Sequence, residues 1–170
     1  MIVSCERSLG CAQNRLEQSV NYEDLVSDFS QRTKRNLELI EQHAGEHAEG
    51  GAFEVTQLVN SMLGLLVFPQ QRWFDRIPLT PVPELVSAGW PKITVDGTVP
   101  GNNLRGLARY LRNGIAHFNL EFLADTGGLI SGLRIWNVRV DGRRDWTAQL
   151  SVADLRFVAM KFVDMLSGTD

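Results

Sequence analysis

Residues Leu104–Phe122 read LRGLARYLRNGIAHFNLEF, and this stretch decides the fold. Leu104, Leu107, Ala108, Leu111, Ile115, Phe118 and Phe122 recur at steps of three or four, which predicts one apolar stripe on an α-helix. The opposite side carries Arg105, Arg109, Arg112, Asn113 and His117. At about 100° per residue, Asn113 and His117 are i,i+4 neighbours, and Arg109 lies one turn before Asn113 on the same row. Arg112 sits roughly 140° from His117, and its own i+4 neighbour, Ala116, is too small to block a long side chain bending across. A guanidinium, an amide and an imidazole can therefore converge on one small volume. That volume suits a phosphate or a strained phosphodiester. Arginine offers a planar fork to phosphate oxygens, and an imidazole, with an ordinary pKa of about 6.5, takes or gives a proton near neutral pH. The plain alternative is a solvated helix face whose Arg and His pair with neighbouring acids or cap a helix end.

The flanking sequence supplies the rest of a helical bundle. A first helix is expected from near Asn21, a good N-cap with Glu23 and Asp24 in its first turn, to Gly45 or Gly50–Gly51. Phe53–Phe68, FEVTQLVNSMLGLLVF, becomes apolar on nearly all sides, which predicts a central buried helix stopped by Pro69. All six prolines lie between Pro69 and Pro100, so 69–101 is expected to be one long irregular connection, held on the bundle by Trp73, Phe74, Ile77, Leu85 and Trp90. Gly114 weakens the motif helix and is expected to bend or break it there. Residues 129–150 change period: LRIWNVRV and WTAQLSV, separated by Asp141–Gly142, predict a β-hairpin. Its Arg134, Arg139, Arg143 and Arg144 are able to touch phosphates, but a solvated outer face is the commoner role. A last helix starts near Ser151, where Ser151-x-x-Asp154 resembles a capping box, and ends at Ser167–Gly168. The expected fold is mainly α: four principal helices and one inserted hairpin in a single domain, 21–168, behind an arm at 1–20. That reading leaves no room for a sheet of four or more strands.

Composition narrows the function classes. The 170 residues, 44% hydrophobic and 22% charged, suit one soluble globular domain. No window of 18 apolar residues predicts a membrane span, and the early Glu6, Arg7 and Arg15 argue against a secretory signal, so the expected location is the cytoplasm. Cys5 and Cys11 match no common zinc ribbon, and His43 and His47, though i,i+4, lie in EQHAGEHAEGG without an HExxH. No metal or other cofactor is expected. Net charge is −3, which argues against non-specific coating of nucleic acid. The charge is uneven, however: 8 Lys/Arg against 13 Asp/Glu over 1–101 (−5), and 9 against 7 over 102–170 (+2). There is no GxxxxGK[ST], GxSxG or CxxC, so a P-loop ATPase, an α/β-hydrolase and a thiol redox enzyme have no support.

Arg112-Asn113-x-x-x-His117 resembles the signature of the HEPN superfamily (higher eukaryotes and prokaryotes nucleotide-binding), an Arg, a polar residue and then a His after four to six intervening residues. The flanks LRNGIAHFN and the segment NSMLGLLVFP at 60–69 resemble a HEPN branch found on plasmids and mobile elements, and the similarity covers about residues 22–167. The resemblance implies an α-helical bundle. It also implies a metal-independent endoribonuclease acting as a homodimer on RNA or a nucleotide, with Arg112, Asn113 and His117 as catalytic candidates. Arg109, Arg105 and Asn119 are the candidates for substrate contacts. A toxin or defence role, with an antitoxin or other regulatory partner, fits by analogy only. The competing expectation is a catalytically silent HEPN module that binds a nucleotide or another protein.

Overall fold

Asn103 starts the motif helix as a side-chain cap: its Oδ1 accepts from the Gly106 backbone N–H at 2.9 Å, satisfying one of the donors that a helix start leaves unpaired. In the computed structural model, which describes residues 22–43, 54–67 and 71–168, this helix lies between two layers. The elements in chain order are α1 (Tyr22–His43), α2 (Glu54–Val67), α3 (Gln71–Phe74), α4 (Val82–Ser87), β1 (Thr94–Gly97), a 3₁₀ turn (Pro100–Asn102), α5 (Leu104–Ala116), β2 (Leu120–Ala124), β3 (Ile130–Val138), β4 (Arg144–Ser151) and α6 (Val152–Ser167). The four long helices stand where the periodicity puts them. Helices α1 and α2 pack on α6, α2 also packs on α5, and α5 lies against β3. Leu58 and Met62 of α2, Leu111 of α5, Ile135 of β3 and Leu155 and Val158 of α6 are fully buried in one continuous core.

The sheet corrects the expected hairpin. β3 and β4 pair as read, but the sheet has four antiparallel strands in the order β1-β4-β3-β2. The additional strands come from two places read otherwise. β1 belongs to the proline-rich connection, which also contains α3, α4 and the 3₁₀ turn rather than irregular chain alone. Of its anchoring residues, Phe74 and Leu85 are buried, and Trp73, Ile77 and Trp90 pack on the core from its edge.

β2 replaces the expected last turns of the motif helix. The helix stops at Ala116, with His117 as C-cap (φ −99°, ψ 8°). Phe118 N–H then donates to Ile115 O at 3.1 Å and Asn119 N–H to Gly114 O at 2.7 Å. This pair of bonds closes a Schellman turn, whose C′ position requires a left-handed residue. Phe118 fills it at φ 54°, a conformation that costs a non-glycine residue about 1–2 kcal/mol. The turn throws the chain back onto β3, where Trp136 N–H donates to Asn119 O. The apolar stripe is therefore real from Leu104 to Ile115 and fails beyond: Phe118 is 73% exposed and Phe122 is exposed on an edge strand.

Gly114 does not bend the helix. It remains helical and buried, and a Cβ there would meet Ile135 Cγ2 at 2.3 Å and Trp136 O at 3.1 Å. The missing side chain is what lets α5 approach β3. At the far end, α6 starts with the capping box expected from Ser151 and Asp154 and ends on left-handed Gly168. The arm at 1–20, both cysteines, His47 and the turn regions around Gly45, Gly50 and Pro69 lie outside the described residues. Among the described residues no helix is long and apolar enough to cross a membrane.

Gly114→Ala is expected to destabilise the protein by about 1–3 kcal/mol in urea unfolding, as overpacking does, although the same change at an exposed helix site stabilises by about 1 kcal/mol. Leu111→Ala, by cavity formation, is expected to cost about 2–5 kcal/mol. A stability gain in Gly114→Ala would mean that α5 stands off the sheet.

Candidate functional site

The polar side of α5 divides its residues among three surroundings. Arg105 turns inward: its Nε donates to Ile77 O at 3.0 Å and a terminal nitrogen donates to Asp75 O. It ties the segment after α3 to α5, so its fork is committed to backbone carbonyls and is not available to a substrate. Arg112 is half-buried, with its guanidinium carbon 5.3 Å from the centre of the Phe74 ring. The stacking fixes the cation against an apolar wall, while its N–H donors meet no hydrogen-bond acceptor and no carboxylate among the described residues. His117 is exposed on the helix cap, and its imidazole has no hydrogen-bond partner among the described residues. Arg109 is likewise exposed and unpaired there. Asn119 spends its backbone on the Schellman turn and on β3, and keeps a half-exposed side chain.

The solvated-face alternative required Arg112 and His117 to pair with acids or to bond the helix end. His117 does occupy the cap position, but through its backbone: its N–H donates to Asn113 O at 3.0 Å. Neither side chain is used up by the fold. They are about 7.5 Å apart along the axis, five residues at 1.5 Å each.

Asn113 is held differently from the arrangement read from spacing. Its Nδ2 donates to Asn137 Oδ1 on β3 at 3.1 Å, and Asn137 Nδ2 donates to Asp145 Oδ1 at 2.8 Å. The Tyr110 hydroxyl donates to Asp145 Oδ2 at 2.7 Å. A four-membered polar chain thus runs from Tyr110 through Asp145 and Asn137 to Asn113, with Asn137 only 5% exposed. Networks of this kind fix geometry because each buried member loses its partner if one is removed. Asp145 enters the chain because the β3–β4 ladder slips: Asn137 pairs with Trp146, whereas Val138 pairs with Arg144. Asp145 is the extra residue of a bulge, a device that re-aims one side chain.

Tyr110, Asn137 and Asp145 were missed in the sequence. Asn137 carried a signal, since the alternation of LRIWN puts a polar residue on the buried face with Leu133 and Ile135. Asp145 carried none, because the bulge sets its direction. The Tyr110 phenol is pushed above its usual pKa, first by burial and then by its hydrogen bond to Asp145 and that carboxylate's charge, while Arg139 and Arg109 oppose the shift.

The hairpin arginines also divide. Arg134 pairs with Glu121 at 3.1 Å, and Arg144 lies 3.9 Å over the Trp136 ring. Arg143 forks onto Asp141, whose pKa its hydrogen bonds hold below the usual carboxylate range. Of these arginines, Arg139 alone makes no side-chain hydrogen bond, ion pair or ring contact among the described residues, although its charge is felt by Asp141 and Tyr110.

A phenol whose folded pKa exceeds its unfolded value near 10 binds its proton more tightly in the native state. Its stabilisation is complete below pH 10 and is lost as pH rises through the folded value. Ultraviolet titration is expected to show a late tyrosinate phase that Tyr110→Phe removes and Asp145→Asn moves to lower pH. A single phase at the ordinary tyrosine pKa would refute the Tyr110–Asp145 bond.

Among curated proteins and among solved structures, none matches the chain. One family model does, that of HEPN pEK499 p136, over residues 13–170. This span contains α5 and every residue of the site just described, and it is nearly the whole sequence. The chain therefore belongs to the HEPN pEK499 p136 family, a plasmid-associated family of the HEPN superfamily.

Proposed function

We propose that the protein is a metal-independent endoribonuclease whose chemistry is carried by Arg112 and His117. The observation that carries this reading is the pair itself. One guanidinium and one imidazole stand on the last turns of a single buried helix, and neither has a hydrogen-bond or carboxylate partner among the described residues. Family membership adds a superfamily associated with nucleotides and RNA cleavage.

In this mechanism His117 removes the proton of a ribose 2′-OH, and the 2′-oxygen attacks the adjacent phosphorus. The phosphorus–O5′ bond breaks, leaving a 2′,3′-cyclic phosphate, and the departing oxygen takes up a proton. Arg112 stabilises the charge that develops on the phosphoryl oxygens, an electrostatic role that only a planar bidentate fork fills well. Asn113, anchored by Asn137 and Asp145, is a positioning residue. The nucleophile is internal to the substrate, so the step needs no metal-activated water.

In an in-line displacement the attacking 2′-oxygen and the leaving O5′ lie on opposite sides of the phosphorus, too far apart for one fixed imidazole to serve both, so the mechanism calls for a second copy of the chain that brings its own His117. Two features beside His117 support a homodimer: Phe118, exposed despite its strained backbone, and the edge strand β2 with Phe122 uncovered. Cytoplasmic location, an antitoxin or regulatory partner and a toxin or defence role belong to this proposal as its setting.

The expected products on RNA, in the presence of EDTA, are 2′,3′-cyclic phosphate ends. His117→Ala and Arg112→Ala are expected to abolish cleavage with the fold intact, and the double variant to be no worse than either, since residues acting as a unit are not additive. Arg112→Lys is expected to fail as well. Wild-type protein that binds a nucleotide through Arg112 but cleaves no RNA would establish the silent binding module instead.

Phe118→Gly separates assembly from folding. Glycine relieves the left-handed strain, so the monomer fold is expected to gain up to about 1–2 kcal/mol, while light scattering shows a weakened dimer and RNA cleavage falls. A dimer and an activity both unaffected by the change would remove Phe118 from the interface.

A further inference from the structure

We propose that Arg109 and Arg139 form a second phosphate site that grips the backbone of an RNA strand a few nucleotides from the bond cleaved at His117. This inference rests on the reading of Arg112 and His117 as an RNA site and extends it to the length of strand the protein recognises.

The two arginines come from different elements and each adjoins a member of one anchored pair. Arg109 precedes Tyr110 on α5, and Arg139 follows β3 two residues after Asn137. Tyr110 and Asn137 are both hydrogen-bonded to the same carboxylate, Asp145. Arg139 is further fixed by its backbone N–H, which donates to Arg143 O at 2.9 Å across the hairpin loop. Both cations lie within electrostatic reach of the Tyr110 phenol. Both are exposed, and neither forms an ion pair among the described residues.

The charge balance favours an anion. Asp145 faces this pair, and its two oxygens already accept from Tyr110 and Asn137; Asp141, two residues after Arg139, also feels that cation but is held by the Arg143 fork. Counting Asp141 with its own Arg143, three guanidiniums against two carboxylates leave one positive charge at the surface. The contrast with their neighbours is sharp, since Arg134 and Arg143 each have their own acid.

Position supplies the ligand class. Arg109 on α5 and His117 at its C-cap are both exposed and lie eight residues apart, about 12 Å at 1.5 Å each. A stacked strand advances about 3.4 Å per nucleotide, so 12 Å is about three to four nucleotides. A mononucleotide at His117 does not reach Arg109, whereas a strand lying along α5 does.

The test is binding of a fluorescein-labelled single-stranded 2′-O-methyl RNA, which lacks the hydroxyl needed for cleavage, followed by anisotropy from about 50 to 200 mM KCl. Loss of one phosphate contact flattens the plot of log Kd against log salt by about 0.7 for a single strand. Arg109→Gln and Arg139→Gln are each expected to weaken binding and flatten the slope by up to that amount. Because both grip one phosphate, the double variant is expected to flatten it by about 0.7 in total. Arg143→Gln, whose fork is already held by Asp141, is expected to leave the slope unchanged. Adenosine monophosphate is expected to bind without dependence on Arg139.

Wild-type binding to RNA that neither substitution changes would overturn this second site while leaving the site at Arg112 and His117 standing. An equal effect of Arg143→Gln would reduce it to diffuse surface charge, and Arg139-dependent binding of adenosine monophosphate would make it a mononucleotide site. No binding of wild-type protein to any strand would overturn both readings together.

Discussion

The approach of α5 to β3 at Gly114 is the contact on which the rest depends. Ile135 occupies the space where any larger residue would carry its Cβ. This closeness lets Asn113 reach Asn137 and Tyr110 reach Asp145. It also lets the chain turn at His117 and return as β2 beside the strand it has just packed against. Packing and polar network reinforce one another here, because dense interiors move little and unsatisfied buried amides are costly. The helix is thereby held both along its axis and about it. That is the requirement for presenting Arg112 and His117 at a fixed spacing.

The two halves of the site obey different rules. Tyr110, Asn113, Asn137 and Asp145 satisfy one another and define geometry. The side chains of Arg109, Arg112, Arg139 and His117 make no hydrogen bond or ion pair among the described residues, Arg112 having one stacking contact, and define what is left for a ligand. Arginine is the side chain suited to that second task, since its fork is planar, permanently charged and comparatively weakly hydrated. Arg105 shows the opposite use of the same chemistry, as a clamp on two backbone carbonyls.

What was legible in the sequence is what is encoded locally. The spacing of the stripe from Leu104 to Ile115, the Ser151–Asp154 box and the Asp141–Gly142 hairpin loop are all set by residues a few positions apart. The end of α5 misled because Phe118 and Phe122 continue the three-and-four spacing by coincidence, and because a phenylalanine stands where a glycine would have marked the turn. β1 and β2 were hidden for another reason. They are short edge strands with almost no buried face, and pairing with distant strands places them rather than any pattern of their own. At the candidate site, the reactive types on α5 were visible, but the fates of Arg105, Arg112 and Asn113 depended on residues 24–38 positions away. Arg105 was lost to Ile77, and Asn113 to Asn137.

The sheet order has a consequence for when the site exists. β1 pairs with β4, joining Thr94 to Ala148, and α5, β2 and β3 all lie within the loop so closed. Closing such a loop requires entropy to be lost before the contacts that repay it form, which makes long-range pairing a late and slow event. A chain emerging from the ribosome in order exposes α5 and its unpaired arginines well before β4 arrives with Asp145 and Trp146. The helix has no anchored Tyr110 and no docked partner strand until then. The geometry needed for Arg112 and His117 to act together is therefore among the last features to form, so the nascent protein stays chemically incomplete until synthesis has passed its final strand.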